Sequence, residues 1–385
     1  LFFQFFATAR PSNIHNVPHH FAAMVKEFNL QAFKITSAMT DLSQFDPNAV
    51  GNPENNIFGL PLSEEDARIV IIPVPWEVTV SSQAGTARAA DHVFRASLQV
   101  DVFDPEFPEA WKQGFFMRQP DKKILLKSDY LRKEAELYID YISRQEDVAE
   151  NQFMFKTLNE VNEGSEYLNN WVYEQCKALL NRGKLVAVLG GDHSVALGNF
   201  KAIAEKHGDF GILQIDAHCD LREAYMGFTY SHASVMYNAL KEIPALKTLV
   251  QIGVRDYSPA EWDIVKNSHY RIITYLDREI KHRQYEGQSW KQIAEEIVTK
   301  LPEKVHISFD IDGLKPSLCP HTGTPVPGGF EAEQVFYLIN KIVASGRKII
   351  GFDLTEVGVG ELEWDANVGA RVLFKLCNIL VACNS

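Results

Sequence analysis

Three short stretches of the 385-residue chain carry side chains suited to one kind of chemistry: "GDHS" at 191–194, "DAHCD" at 216–220 and "DID" at 310–312. Asp216, His218 and Asp220 occupy alternate positions, as do Asp310 and Asp312, and each set directly follows an apolar run. Alternate residues on an extended chain point the same way, so each set is expected to converge on one side. With His193 they make two imidazoles and four carboxylates arriving from three segments. Four carboxylates crowded together repel unless cations lie among them, and their charge balances two divalent ions. Oxygen-rich donors with some nitrogen suit Mn2+ ahead of Fe2+, Ni2+ or Zn2+. Carboxylates that can bridge make this the composition of a two-metal site, where a shared hydroxide becomes a nucleophile at neutral pH.

A lone Asp at a strand end is usually a turn or cap residue, and a lone His there is as easily explained. Two independent acidic i, i+2 sets on apolar runs are not, because unpaired carboxylates in such places are costly. Asp192 is expected to orient a ligand or the backbone, and Cys219 to turn away from the metals as a buried thiol. His306 and His321 flank the motifs without matching a ligand position.

The elements that must position these groups are legible as seven apolar, β-branched runs: "RIVIIPVP", "KLVAVLG", "GILQID", "TLVQIGV", "RIITYL", "KVHISFDID" and "KIIGFDL". Nearly continuous apolar character is expected of parallel strands covered on both faces. Amphipathic stretches such as "WKQIAEEIVTKL" and "EAEQVFYLINKIVASG" lie between them, so strand and helix alternate and a parallel sheet sandwiched by helices follows. In such sheets ligands sit at the carboxyl ends of the strands, where the polar motifs fall. The charged stretch 122–182 predicts two long helices outside the sheet. No repeat, low-complexity tract or Pro/Gly linker divides 65–385, which predicts one catalytic domain over 39–385 with a helical insertion at 122–182.

The formal net charge of −12 argues against a nucleic-acid or anionic-lipid surface, which needs a basic excess, and suits a small cationic substrate. Five scattered cysteines with no C-x-x-C pair read as free thiols of a reducing compartment, which predicts a cytoplasmic protein. No apolar run approaches the roughly 18 residues that span a bilayer. The opening "LFFQFFATARPSNIHN" has its charge after its apolar part, the wrong order for a secretory signal. Met39 is a plausible start, so 1–38 reads as a disordered or non-native extension.

Taken together, "GGDHS" (190–194), "DAHCDLREAYMGFTYSHASVM" (216–236), "SFDIDGLKPSLCPHTGTPVPGG" (308–329) and "GFDLTEV" (351–357) resemble the ureohydrolase superfamily, which includes arginase, agmatinase, guanidinobutyrase and formimidoylglutamase. The resemblance runs from about residue 68 to the end. It implies a three-layer αβα fold with a mainly parallel sheet of about eight strands, the arginase/deacetylase-like α/β class. It implies two Mn2+ per subunit: one held by His193, Asp216, Asp220 and Asp310, the other by Asp216, His218, Asp310 and Asp312, with Asp216 and Asp310 bridging. Asp220 would also hold the hydroxide, His232 in "YSHASV" matches the proton-shuttling histidine, and Glu356 in "DLTEV" matches the carboxylate that grips the guanidinium. Homo-oligomers, trimers or hexamers, are implied as well.

A planar, resonance-stabilised guanidinium resists attack until a carboxylate orients it toward an activated nucleophile. The leaving amine must then be protonated, a task for a histidine that titrates near neutrality. Arginases place an S-x-N-x-H-G loop before the shuttle histidine, whereas "GFTYSHASV" has no such Asn, and "DLREAY…YSHASVM" is more like bacterial agmatinases. "GGDHS" is the arginase-like spelling, and Lys315, Pro320 and His321 depart from the usual pattern at non-ligand positions. The reading is agmatine hydrolysis to putrescine and urea, with arginase, guanidinobutyrase, free-guanidine hydrolase and formimidoylglutamase as alternatives. A metal-binding scaffold without activity would show broken ligands, and all six are intact. A mononuclear zinc deacetylase would not need both Asp310 and Asp312.

Overall fold

β-branched side chains fit a pleated surface buried on both sides, and the apolar runs become strands for that reason. The computed structural model describes Leu42 and residues 45–385; the extension expected at 1–38, with Met39, lies outside the described residues. The described residues from Leu42 to Asn384 belong to one compact unit. Its strands are β1 (Ile69–Val74), β2 (Phe115–Met117), β3 (Leu185–Gly190), β4 (Phe210–Ile215), β5 (Leu246–Ile252), β6 (Ile272–Tyr275), β7 (Lys304–Asp310) and β8 (Lys348–Thr355). They form one sheet in the order β2-β1-β3-β8-β7-β4-β5-β6, and every neighbouring pair is parallel. β2 is the strand missing from the seven runs: three residues are too few to show a period, and only its pairing with β1 makes it a strand.

Parallel neighbours need crossovers, and helices supply them on both faces. Along β1, Ile69 and Ile71 join one apolar core while Val70 and Ile72 join the other, so the period of two divides the strand between two layers. The first core is closed by α1 (Ala89–Ser97), α8 (Trp290–Lys300), α9 (Ala332–Ala344) and α10 (Trp364–Ala382). The second is closed by α2 (Lys122–Ser143), α3 (Gln152–Asn181), α4 (Ala196–His207) and α5 (Val235–Glu242). Two shorter helices, α6 (Pro259–Asn267) and α7 (Asp277–Tyr285), follow β5 and β6. No helix among the described residues is long and apolar enough to cross a membrane.

The chain leaves β3 for β4, passing over a gap that β8 and β7 later fill. This reversal puts the carboxyl ends of β3, β8, β7 and β4 side by side, and such switch points are where open parallel sheets leave a crevice. Helices α2 and α3 start at defined points: the Asp121 side chain accepts from Lys123 N and Ile124 N, and that of Asn151 from Phe153 N and Met154 N.

Candidate metal centre

Asp310 reaches the crevice as the last residue of β7, and the other five of the six residues reach it by turns beyond the strands. β4 ends at Ile215, so Asp216, His218 and Asp220 lie beyond the strand, and the expectation of three positions on one extended face is corrected. Asp216 Oδ1 accepts from His218 N at 2.6 Å, and Asp310 Oδ1 accepts from Asp312 N at 2.8 Å. Asp192 Oδ1 likewise accepts from Ser194 N at 3.0 Å. Asp side chains favour such turns because the carboxylate mimics a backbone carbonyl two residues away. The same device thus ends three strands and bends each chain back over the sheet. Asp220 has φ +54°, a left-handed backbone that completes the bend. Asp192 orients backbone, as expected. Gly191 beside it admits no side chain, since a Cβ would lie 1.9 Å from Trp76 O.

His193 Nδ1 faces three carboxylates: Asp220 Oδ2 at 2.9 Å, Asp216 Oδ2 at 3.1 Å and Asp310 Oδ2 at 3.4 Å. His218 Nδ1 lies 3.1 Å from Asp312 Oδ2 and 3.5 Å from Asp216 Oδ1. Two groups, His193/Asp216/Asp220 and Asp216/His218/Asp312, each bring their donor atoms within 4.8 Å of one another and share Asp216. One carboxylate shared by two donor sets is placed to serve two ions at once.

A chain of buried bonds fixes the imidazole of His193. Asp353 Oδ1 accepts from Ser308 Oγ at 2.8 Å, which leaves the serine oxygen to accept from His193 Nε2 at 2.9 Å. The Nε2 proton is thereby assigned and Nδ1 is aimed at the carboxylates. His306, expected to be structural, braces the far side of this chain, its Nε2 lying 2.7 Å from Asp353 Oδ2.

Burial and mutual repulsion set the ionisation here. Burial, then the charge of Asp216, raises Asp220 to about 7. Burial, then Asp312, Asp216 and Glu356, pushes Asp310 well above the usual carboxylate range. Burial pulls His193 and His218 down, but the carboxylates against them prevail and both rise well above 6.5. The two imidazoles and Asp310 therefore favour their protonated forms, while against burial the imidazoles hold Asp216 below the usual carboxylate range; divalent cations displace protons from such buried sets of hard oxygen and imidazole donors. The residues fit a two-ion centre on that ground.

A cleft of about 460 Å3 opens above them, lined by His193, His218, Asp220, Asp310, His232 and Glu356. Glu356 follows β8 at φ +60°, its N–H donating to Gly191 O at 2.9 Å. Its Oε1 accepts from His193 N at 3.0 Å, while Oε2 is buried with no hydrogen-bond partner. Burial, then Asp192, raises this carboxyl well above its ordinary range. His232 opens a short 3-10 turn, His232–Ser234, with Nδ1 3.3 Å from Thr79 Oγ1, and its N–H donates to that oxygen at 3.2 Å. Burial, then the cationic His218 and His193, lowers it to about 3. In the metal-free protein it is neutral at pH 7, not poised near neutrality as the sequence suggested.

Six of the eight expected residues line this cleft, and the other two, Asp216 and Asp312, lie against its lining residues His193 and His218. The structure adds others that sequence reasoning missed: Thr79, Ser81–Gln83, Arg222, Tyr225, Asp256 and Glu261. Arg222 and Asp256 were within reach, since one sits two residues past Asp220 and the other follows a strand end, where sites collect. Arg222 stands over the Tyr225 ring at 4.8 Å with Nε 3.7 Å from Glu261 Oε2. Asp256 is exposed, with no side-chain partner among the described residues. The departures at 315 and 321 fall outside the ligand set: Lys315 pairs with Glu331, and His321 Nδ1 lies 2.8 Å from Asp365 Oδ2. Cys219 is buried, and burial drives its thiol pKa upward.

Comparison with known proteins agrees with this geometry. The N(1)-aminopropylagmatine ureohydrolase of Thermus thermophilus is 29% identical over 295 residues, 76% of this chain and 83% of that protein. Human Arginase-1 is 31% identical over 219 residues, 52% of this chain and 66% of that protein. The solved agmatine ureohydrolase of Thermoplasma volcanium superposes with a TM-score of 0.61 at 23% identity, covering 83% of this chain and 92% of that one, and so shares the fold. Residues 67–377 match the Arginase family, and with its parallel sheet, shared-aspartate cluster and buried glutamate the chain belongs to that family of hydrolases, which cleave guanidino C–N bonds.

Proposed function

We propose that the protein hydrolyses a guanidino amine without an α-carboxylate, agmatine giving putrescine and urea. The observation that carries this is Asp256: an exposed carboxylate on the cleft with no side-chain partner, available to a distal ammonium. A guanidino acid such as guanidinobutyrate would instead bring a carboxylate toward Asp256 and would need a cation or neutral N–H and O–H donors beside it. Arg222, the candidate, is already engaged by Tyr225 and Glu261. The aminopropylagmatine specificity named for the Thermus relative fits the same polycationic class.

His193, Asp216, Asp220 and Asp310 would hold one ion and Asp216, His218, Asp310 and Asp312 the other, with Mn2+ the best match to the donors. When bound, such ions supply Lewis-acid activation of water at neutral pH. Glu356 Oε2 receives the guanidinium N–H groups and fixes its plane. Asp220, beside the attacking water, orients it. His232, neutral at rest, takes a proton from that water and gives it to the leaving amine as the C–N bond breaks. Free thiols, four of the five buried, suit a reducing cytoplasm, and a homo-oligomer is expected by kinship.

The test is urea release by the Mn2+-loaded protein from agmatine, N1-aminopropylagmatine, arginine, guanidinobutyrate and guanidine, with formamide and ammonia followed on formimidoylglutamate. Dominant kcat/KM on a guanidino amine is the expected result, and Asp256→Asn should raise its KM. Dominance of a guanidino acid would overturn the substrate assignment.

A further inference from the structure

Helix α2 carries two stripes with heptad spacing, and one of them has no occupant among the described residues. The inner stripe, Ile124, Ser128, Leu131, Ala135 and Tyr138, is buried. Part of it rests on α3, where Gly164 lets Leu131 come so near that a Cβ would lie 2.2 Å from Leu131 Cδ1. The outer stripe is Lys123, Leu126, Tyr130, Lys133, Leu137 and Asp140, at alternating intervals of three and four residues. It faces solvent: Leu126 is 69% exposed, Tyr130 51% and Leu137 52%. A seam of this spacing is what lets one helix lie along another at a shallow angle.

The order of residues along the stripe is self-complementary. Laid antiparallel on a second copy about a two-fold axis between Leu131 and Arg132, Lys123 faces Asp140 of the second copy, a carboxylate that also pairs with Arg144 of its own chain, Leu126 faces its Leu137, and Tyr130 faces its Lys133. The contacts are an ion pair, an apolar pair and a cation at an aromatic ring, each made twice because a two-fold interface is isologous. A parallel pairing would set Lys123 against Lys123 and Asp140 against Asp140, so charge selects the antiparallel one. An unrelated partner would have no reason to mirror this sequence.

Helix α3 widens the face. Tyr130 Oη donates to Glu160 Oε1 at 3.0 Å and Lys127 Nζ sits 4.9 Å from the Tyr167 ring centre, which places α3 alongside the stripe. Tyr167 and Phe153 of α3 are 50% and 58% exposed. Two helices of this length present a face of roughly 650 Å2, near the ~800 Å2 per partner of a standard interface.

We propose that the outer stripe of α2 is a two-fold interface between two copies of this chain. The proposal names surface and symmetry, and stands apart from the assigned reaction. Light scattering on the eluting full-length chain should give a mass of an even number of copies. Leu126→Glu with Leu137→Glu should halve that mass while circular dichroism stays unchanged. Lys123→Asp alone sets Asp against Asp and should weaken association at least tenfold, and adding Asp140→Lys should restore it. Mixing a Leu126→Cys chain with a Leu137→Cys chain under mild oxidation should yield a cross-linked dimer. A monomeric or odd-numbered wild type, a mass unmoved by the Leu126/Leu137 pair, or a charge swap that fails to restore association would overturn the proposal.

Discussion

The floor of the cleft and its rim are built on different principles. The floor is held by four adjacent strand ends; His193, Asp216, Asp220, Asp310, Asp312 and Glu356 are each at most 5% exposed. Most carboxylates there bond backbone N–H groups within two residues or across neighbouring strands, as Asp312 Oδ1 does with Ala217 N at 2.9 Å. The rim, by contrast, comes from loops around 79–83, 222–233, 256–261 and 324–326. Distant side chains tie it down: Asn162 of α3 donates to Gly227 O at 3.2 Å and accepts from Thr229 N at 2.9 Å, and Arg132 of α2 donates to Val78 O at 3.3 Å and to Val80 O. On the proposed function, metal binding belongs to the part the sheet dictates, while His232 and the choice of substrate belong to the part that packing dictates, so metal content and turnover should separate under mutation.

The largest expected break is at the floor. Asp310→Ala removes a carboxylate that faces His193 at 3.4 Å and, on the proposed ligand set, should lower metal affinity beyond the ~10–100-fold typical of losing an outer partner. Elemental analysis should show the metal lost, with urea release lost alongside it. Retained activity without metal would sink the two-ion reading. Glu356→Gln tests the boundary between the regions, since it keeps the bond to His193 N but removes the charge. Losing a charged hydrogen bond costs about 1.5–3 kcal/mol, so kcat/KM should fall roughly 10- to 150-fold with metal content unchanged.

Proton linkage sharpens the contrast without mutation. In the metal-free protein Asp220 sits at about 7, and His193 and His218 are raised well above 6.5. An ion must displace those protons, so affinity rises with pH and falls as pH drops below about 7. The slope should be roughly tenfold per pH unit per proton displaced. Titrations from acid to alkaline pH in buffers of different ionisation enthalpy would measure it, and a flat profile would refute the protonated cluster. Rim variants should leave this slope alone.

Legibility in the sequence follows the same division. Asp216, His218 and Asp310 were readable because strand ends announce themselves as apolar runs meeting acidic residues. Even so, alternation was the wrong geometry for Asp216, His218 and Asp220, since the Asx turns and the positive φ of Asp220 do the placing. Strand β2 was hidden by its length. Thr79 and Glu261 were unreadable because each matters through a contact distant in sequence, Thr79 with His232 153 residues away and Glu261 with Leu221 N 40 residues away. Periodicity reports what a segment buries, not which remote loop it meets. The motif that named His232 could not report its ionisation either, since burial and two neighbouring imidazoles set that.

The smallest effect tests whether the hairpin of α2 and α3 governs the rim at all. Arg132→Met keeps the aliphatic stem and the packing of α2 but removes the donors to Val78 O and Val80 O. Those carbonyls flank Thr79, whose hydroxyl touches both the N–H and the ring of His232, so loosening this loop should misplace the shuttle before anything else. Neutral hydrogen bonds contribute about 1 kcal/mol each and a charged donor somewhat more, and part of the loss is recovered because the freed carbonyls reach water. A three- to tenfold fall in kcat/KM is the expected order, with metal content and the pH dependence of metal binding unchanged. Unchanged kinetics would mean the rim is positioned without the hairpin. Loss of metal would mean that floor and rim are one cooperative unit, and the division drawn between them would fail.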